Sequence, residues 1–173
     1  MKRFLAALTC CGLLALSACS DDSSSSADPP SPTPTSTSSE PSPTQAVETP
    51  EEFLQRWVDA DRTMENSGKT SEYRAISKRC VACDGLASQI EDIYAKGGYV
   101  KTAGWTILST KVSEPAANGR VSVTMKIEAA PTEYVEAEGQ SVKHLQGGTQ
   151  RHLVTLSQAD GSWNVDDIEQ LAT

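Results

Sequence analysis

The chain has 173 residues, of which 38% are hydrophobic, 22% charged and 5% aromatic, with a formal net charge of −8. That length suits one ordinary domain with a mainly aliphatic core. The acidic balance argues against a nucleic-acid partner, because phosphate binding needs a basic face, and against polybasic adhesion to anionic lipid.

Lys2 and Arg3 make a basic start, and an apolar run extends from Phe4 to Leu16. The run is shorter than the about 20 residues of a membrane-spanning helix, so it reads as an export signal. It closes on Leu16-Ser17-Ala18-Cys19, which resembles the lipobox of bacterial lipoproteins. Small residues precede the cysteine, whose thiol would take the diacylglycerol and palmitate. Residues 1–18 are therefore predicted to be a signal peptide and Cys19 the lipidation site, placing the protein outside the cytoplasm on the outer face of the cell membrane. Ordinary secretory cleavage would instead leave Cys19 a free exposed thiol, a chemical liability.

Residues 19–49 read as a tether. The segment is rich in Ser, Thr and Pro, has no Lys or Arg, and has no large apolar residue before Val47. Such a composition cannot offset its ordering entropy by burial. Its prolines favour extended polyproline II, with a reach of roughly 90 Å at full extension.

The predicted domain is residues 50–173. A capping box opens it: Thr49 as N-cap, Pro50 at the first helical position and Glu52 at the third. Phe53, Leu54, Trp57, Val58 and Met64 fall on one helical stripe, which Asn66-Ser67-Gly68 ends. A second helix is predicted over Ser71–Lys78. A third begins near Cys83, carries Leu86, Ile90, Ile93 and Tyr94, and stops at Gly97-Gly98. The period then changes to strands. Asn118-Gly119 predicts a type I′ hairpin turn, and Val121, Val123, Met125 and Ile127 alternate as a half-buried strand. Residues 131–149 read as a long loop or a ragged hairpin. Asp160-Gly161 marks a further hairpin before Trp163, Val165 and Ile168. Helices followed by antiparallel strands predict an α+β fold with helices on one face of the sheet.

The ordered series Trp57-Val58-Asp59-Ala60-Asp61, Asn66-Ser67-Gly68-Lys69-Thr70, Cys80-Val81-Ala82-Cys83, Ile93-Tyr94-Ala95-Lys96-Gly97-Gly98 and Trp105 resembles an actinobacterial lipoprotein family of unknown function, the DUF6318-like type. The likeness covers residues 50 to 112. It implies an NTF2-like cone, with N-terminal helices packed on a curved antiparallel sheet, and it implies no activity. Cones of this kind host enzymes, ligand binders and scaffolds alike, so function has to be argued from the site.

Removing Cys10 and Cys11 with the signal peptide and lipidating Cys19 leaves Cys80 and Cys83, an even pair suited to an oxidising compartment. They read as a disulfide joining the second and third helices. A redox pair is the alternative, but no βαβ context precedes them. No second CxxC is present, and His144 and His152 are too far apart for a zinc motif. Asp61 is the candidate catalytic residue, because its spacing puts it on the apolar stripe, where desolvation would raise its pKa. The alternative is a solvated edge position paired with a base such as Arg62. His144 and His152 are candidate partners for such an acid. Trp57, Tyr73, Tyr94 and Trp105 are candidate pocket-lining side chains, with plain core filling as the alternative. Glu133, Glu136 and Glu138 lack the ligand spacing of a calcium loop. No cofactor or metal is called for. The leading expectation is a non-catalytic module that binds an envelope protein or a small ligand, with the membrane engaged through lipid. The alternative is an NTF2-like enzyme acting through Asp61.

Overall fold

The computed structural model describes residues 48–172, so the predicted signal peptide, the predicted lipidation site Cys19 and the predicted tether as far as residue 47 lie outside the described residues. The architecture is the expected α+β one: α-helices in the first half, then antiparallel strands forming a curved sheet against which the helices pack.

Helix α1 spans Pro50–Ser67. Thr49 Oγ1 accepts the Glu52 N–H at 3.2 Å, and the Glu52 carboxylate accepts the Thr49 N–H at 2.9 Å, so the capping box is complete. Gly68 ends the helix at φ 71°, donating its N–H to the Met64 carbonyl. A Cβ there would stand 2.6 Å from the Tyr94 ring, so glycine serves both the left-handed cap and the close approach of α3.

Helix α2 spans Ser71–Ala75, shorter than the predicted Ser71–Lys78. The chain leaves the helix because two tertiary bonds claim it. The Ile76 carbonyl accepts the Val165 N–H at 2.9 Å, and the buried Ser77 hydroxyl accepts the Trp57 indole N–H at 2.9 Å. Helix α3 spans Val81–Ala95 and starts earlier than Cys83, because Cys80 is the N-cap and its sulfur accepts the Cys83 N–H.

Among the described residues seven strands follow: β1 (Tyr99–Thr102), β2 (Trp105–Val112), β3 (Val121–Ala129), β4 (Thr132–Val135), β5 (Lys143–Leu145), β6 (Gly148–Ala159) and β7 (Ser162–Leu171). They pair antiparallel in the orders β1-β4-β5 and β2-β3-β6-β7. Three bends lie abreast: Ala103-Gly104 between β1 and β2, Ala130-Pro131 between β3 and β4, and Gln146-Gly147 between β5 and β6. The Ala130 N–H donates to the Gly104 carbonyl across the crease. A Cβ on Gly147 would lie 2.3 Å from the Ala129 carbonyl oxygen, so only glycine lets the strands fold this closely. The crease curves the sheet and opens a mouth against the end of α1.

The stretch 131–149, predicted as a loop or a ragged hairpin, is the β4–β5 hairpin with flanking bends. At Asn118-Gly119 the expected type I′ turn does not form. Only Gly119 is left-handed, at φ 74°, and Asn118 uses its side chain to accept the Arg120 N–H at 3.1 Å within the longer connection from β2 to β3. Asp160 and Gly161 do both adopt positive φ, at 52° and 76°, as a two-residue hairpin requires.

The core lies between the helices and the sheet. Phe53, Leu54, Trp57 and Met64 from α1 and Ala87 and Ile90 from α3 meet Val123, Met125 and Ile127 from β3, Val154 and Leu156 from β6, and Val165 from β7. Asp166 is an extra residue in β7, where the register with β6 shifts. The bulge buries its carboxylate, which accepts from Arg79 Nε at 2.8 Å and the Ser157 hydroxyl at 2.9 Å, with Arg120 Nε 3.1 Å away. Arg79 also donates to Ser157.

Candidate functional site

Helix α1 presents Trp57, Asp61 and Glu65 at successive turns of one face. Trp57 is fully buried in the core. Asp61 is 3% exposed, and its Oδ1 has no hydrogen-bond partner. Arg62, the base suggested for it by sequence, instead pairs with Asp59 at 2.9 Å. Burial, reinforced by the nearby Glu65 charge, raises the Asp61 pKa well above the ordinary carboxylate range. Glu65 is partly buried, and desolvation lifts its pKa to about 7. Neither acid has a salt-bridge partner among the described residues.

Glu65 stands in the wall of a cleft of about 240 Å³ between α1, α3 and the upper sheet. Leu86, Ile90 and Ile93 from α3, Val100 from β1, Tyr134 from β4 and Leu145 from β5 supply an apolar lining, with Gln89 and Thr132 as its uncharged polar groups. The volume falls just below the about 300 to 1,000 Å³ of most small-molecule sites. Sequence reasoning missed Glu65. The signal was present in the spacing, because Glu65 follows Trp57 and Asp61 at helical intervals on a face already read as inward.

The four aromatic candidates take different places. Trp57 packs on Tyr73 at 5.7 Å and edge-on against Trp105 at 6.0 Å. Trp105 stacks on His152 at 4.9 Å. These rings form a row through the core rather than the wall of the Glu65 cleft, although Tyr73 also borders a smaller cleft beside Arg74 and Cys83. Tyr94 acts on the site through its hydroxyl, which donates to the Glu65 backbone carbonyl at 3.0 Å and so fixes the last turn of α1.

His152 is buried on β6, and burial lowers its pKa. Its Nε2 lies 3.1 Å from the Gln150 side-chain oxygen. His144 is exposed on β5, in a shallower cleft with Lys101 and Glu133. Neither histidine lines the Glu65 cleft. Glu133 accepts from the Tyr99 hydroxyl at 2.8 Å, Glu136 pairs with Lys143 at 2.7 Å, and among the described residues no group of three acids, histidines or cysteines has metal-holding geometry. Cys80 and Cys83 have their sulfurs at disulfide distance and are both buried.

Chemically, the cleft offers an apolar surface and an acid that titrates near neutrality, and one helical turn behind that acid lies the buried Asp61, whose pKa burial raises. That set can bind an apolar body, and it can donate or accept a proton.

No protein-family model matches the chain, and no curated protein matches it. Among solved structures, the intermembrane space region of the chloroplast protein ARC6 aligns with a TM-score of 0.53 and 14% identity, covering 76% of this chain and 100% of that one. Aln2 from a Streptomyces species aligns at 0.44 with 12% identity, over 72% and 92% of the two chains. A designed NTF2-type protein aligns at 0.39 with 9% identity, over 70% and 98%. At such identities the ARC6 likeness is one of fold alone.

Proposed function

We infer that this protein is a cell-envelope lipoprotein, related to the actinobacterial DUF6318-like family, whose domain is a non-catalytic binding module. Cys19 carries the lipid, residues 20–47 hold the domain away from the membrane, and the Glu65 cleft receives a small ligand. The observation that carries the binding role is the cleft itself, an apolar mouth walled by α1, α3 and the creased sheet. Its position supports the arrangement. The tether joins at Glu48, beside the start of α1, while Glu65 lies near the other end. At 1.5 Å per residue the helix separates the two by roughly 25 Å, so the mouth opens away from the attachment point.

A second reading, an enzyme of the same fold, is favoured by the buried unpartnered oxygen of Asp61. A buried carboxyl with a raised pKa, one helical turn from one that titrates near pH 7, is a usable acid–base pair. The binding reading is preferred because neither histidine lines the cleft and its other polar groups are one amide, one hydroxyl and one phenol.

Two measurements test the proposal. Cys19→Ala should release the protein from the membrane fraction or leave its leader uncleaved, and unchanged membrane retention would overturn the lipid assignment. The neutral alcohol hexanol, titrated by calorimetry, should bind the purified domain at one site and lose at least about tenfold in affinity in Ile90→Asp, a change of about 1.4 kcal/mol or more. Absence of saturable binding would overturn the ligand role.

A further inference from the structure

We propose that the Glu65 cleft selects small primary amines carrying an apolar body, the ammonium group being received by Glu65 with Asp61 behind it on the same helical face. This rests on the binding reading above and adds the chemical class of the ligand.

Three observations converge on it. First, the cleft contains no cation of its own. Its wall holds one acid, no base and six apolar or aromatic side chains. A carboxylate in such a wall is costly unless a positive charge meets it. The other buried acid of the domain, Asp166, is answered by Arg79 and Arg120. Asp61 and Glu65 are not. Second, Asp61 is almost fully buried and leaves Oδ1 without a donor. An unsatisfied buried oxygen on a rigid helix marks a group that retains a capacity to accept. Third, the lining sets the ligand's other end. Leu86, Ile90, Ile93 and Leu145 offer nothing to a polar body, and the cleft volume of about 240 Å³ limits that body to a short chain or a single ring.

Charged groups around the site agree with the sign. Asp61 and Glu65 come from α1, and Tyr73 from α2 has its hydroxyl pushed above its ordinary range by burial and by these two acids. From α3, Tyr94 donates to the Glu65 carbonyl. From β4, Tyr134 lines the cleft, and Lys143 on β5 sits over its ring while paired with Glu136. Lys101, Glu133 and His144 border the adjacent cleft, which shares Thr132 and Leu145. Glu65 is thus the one acid in the lining, and the neighbouring lysines Lys101 and Lys143 are each paired with a glutamate outside it. Because Glu65 titrates at about 7, it is mostly ionised at pH 8 and mostly neutral at pH 5.5, whereas an alkylamine stays charged at both.

Calorimetric titration with hexylamine, hexanol and hexanoate separates the possibilities, since the three share one apolar body. At about pH 8 hexylamine should bind at least about tenfold tighter than hexanol, and hexanoate should bind more weakly than either. The amine preference should shrink severalfold at about pH 5.5. In Glu65→Gln, checked for an unchanged melting profile at low pH, the ratio of amine to alcohol affinity should fall to near one. Asp61→Asn should lower the same ratio without abolishing it. Equal binding of amine and alcohol by the unaltered protein, or a preference that survives Glu65→Gln, overturns the amine assignment and leaves the cleft as a ligand site. Failure of all three to bind overturns both.

Discussion

At the scale of single residues, Asp61 and Glu65 make the domain's stability depend on pH in the direction opposite to most acids. A carboxyl whose folded pKa is raised contributes stability that is complete below its unfolded value and is lost as pH rises through the folded value. For Glu65 the window runs from 4.5 to about 7, and Asp61, whose pKa burial raises well above the ordinary carboxylate range, acts in the same direction. The domain should therefore melt at lower temperature at pH 8 than at pH 5. Asp61→Asn keeps the shape and removes the charge, so it should flatten this fall and raise the melting temperature at pH 8 relative to the unaltered protein. Thermal melts of both proteins across pH 5 to 8 check this. A parallel decline in the two would show that Asp61 ionises freely in the fold. Asp61 stands three positions from Val58 and from Met64, a spacing that offered the inward place but left a solvated edge open; packing decides it, because the residue is buried. Glu65 was marked only by the same helical spacing, four residues beyond Asp61, and an acid near a helix end reads as solvated until α3 and the strands β1, β4 and β5 close around it.

At the scale of elements, Asp166 joins parts of the chain that no local pattern connects. Arg79 comes from the α2–α3 link, Arg120 from the β2–β3 connection, Ser157 from β6 and Asp166 from the β7 bulge. The exposures are unequal: the Asp166 side chain is 4% exposed, and those of Arg79 and Arg120 are 56% and 49%. Removal of the acid frees two arginines that water can already reach, so Asp166→Ala should cost about 1.5–3 kcal/mol in lost charge-assisted hydrogen bonds. Removal of both arginines strands a buried carboxylate, and the Arg79→Ala, Arg120→Ala double variant should cost about 3–5 kcal/mol. Denaturant titration of the two gives the order. If the double variant proved the more stable, Asp166 would be solvated in the native state. The bulge itself was beyond sequence reading, because Val165 and Ile168 fit a strand whether or not a residue between them is extra. The creases at Gly104, Pro131 and Gly147 were similarly hidden. Each is a turn-forming residue by itself, and only strand pairing brings the three abreast. By contrast, the capping box of α1, the alternation of β3 and the Asp160-Gly161 turn depend on neighbours in sequence, and they formed as read.

At the scale of the whole molecule, the junction between tether and domain decides what folds as a unit. Composition placed residues 19–49 in the tether, yet Glu48 and Thr49 are bound to the domain. Arg56 grips the Glu48 carboxylate through Nε and a terminal nitrogen at 2.9 and 2.8 Å, Trp163 donates its indole N–H to the Glu48 carbonyl at 2.8 Å, and Thr49 caps α1. A Ser/Thr/Pro-rich composition describes a segment on average and cannot mark the residue where tertiary bonds begin. The energies are individually small but fall on one spot. An exposed ion pair contributes about 0.2–1 kcal/mol, a hydrogen bond about 1 kcal/mol and a threonine cap about 1 kcal/mol. A chain starting at residue 48 should therefore melt within about 2 °C of one starting at residue 20, whereas a chain starting at residue 50 should lose about 2–3 kcal/mol and melt roughly 8 °C or more lower. Calorimetry of the three chains checks the order. If the chain from residue 48 melted well below the longer one, residues 20–47 would be part of the folded unit rather than a spacer, and the separation of about 25 Å between attachment point and cleft would no longer set which way the mouth faces.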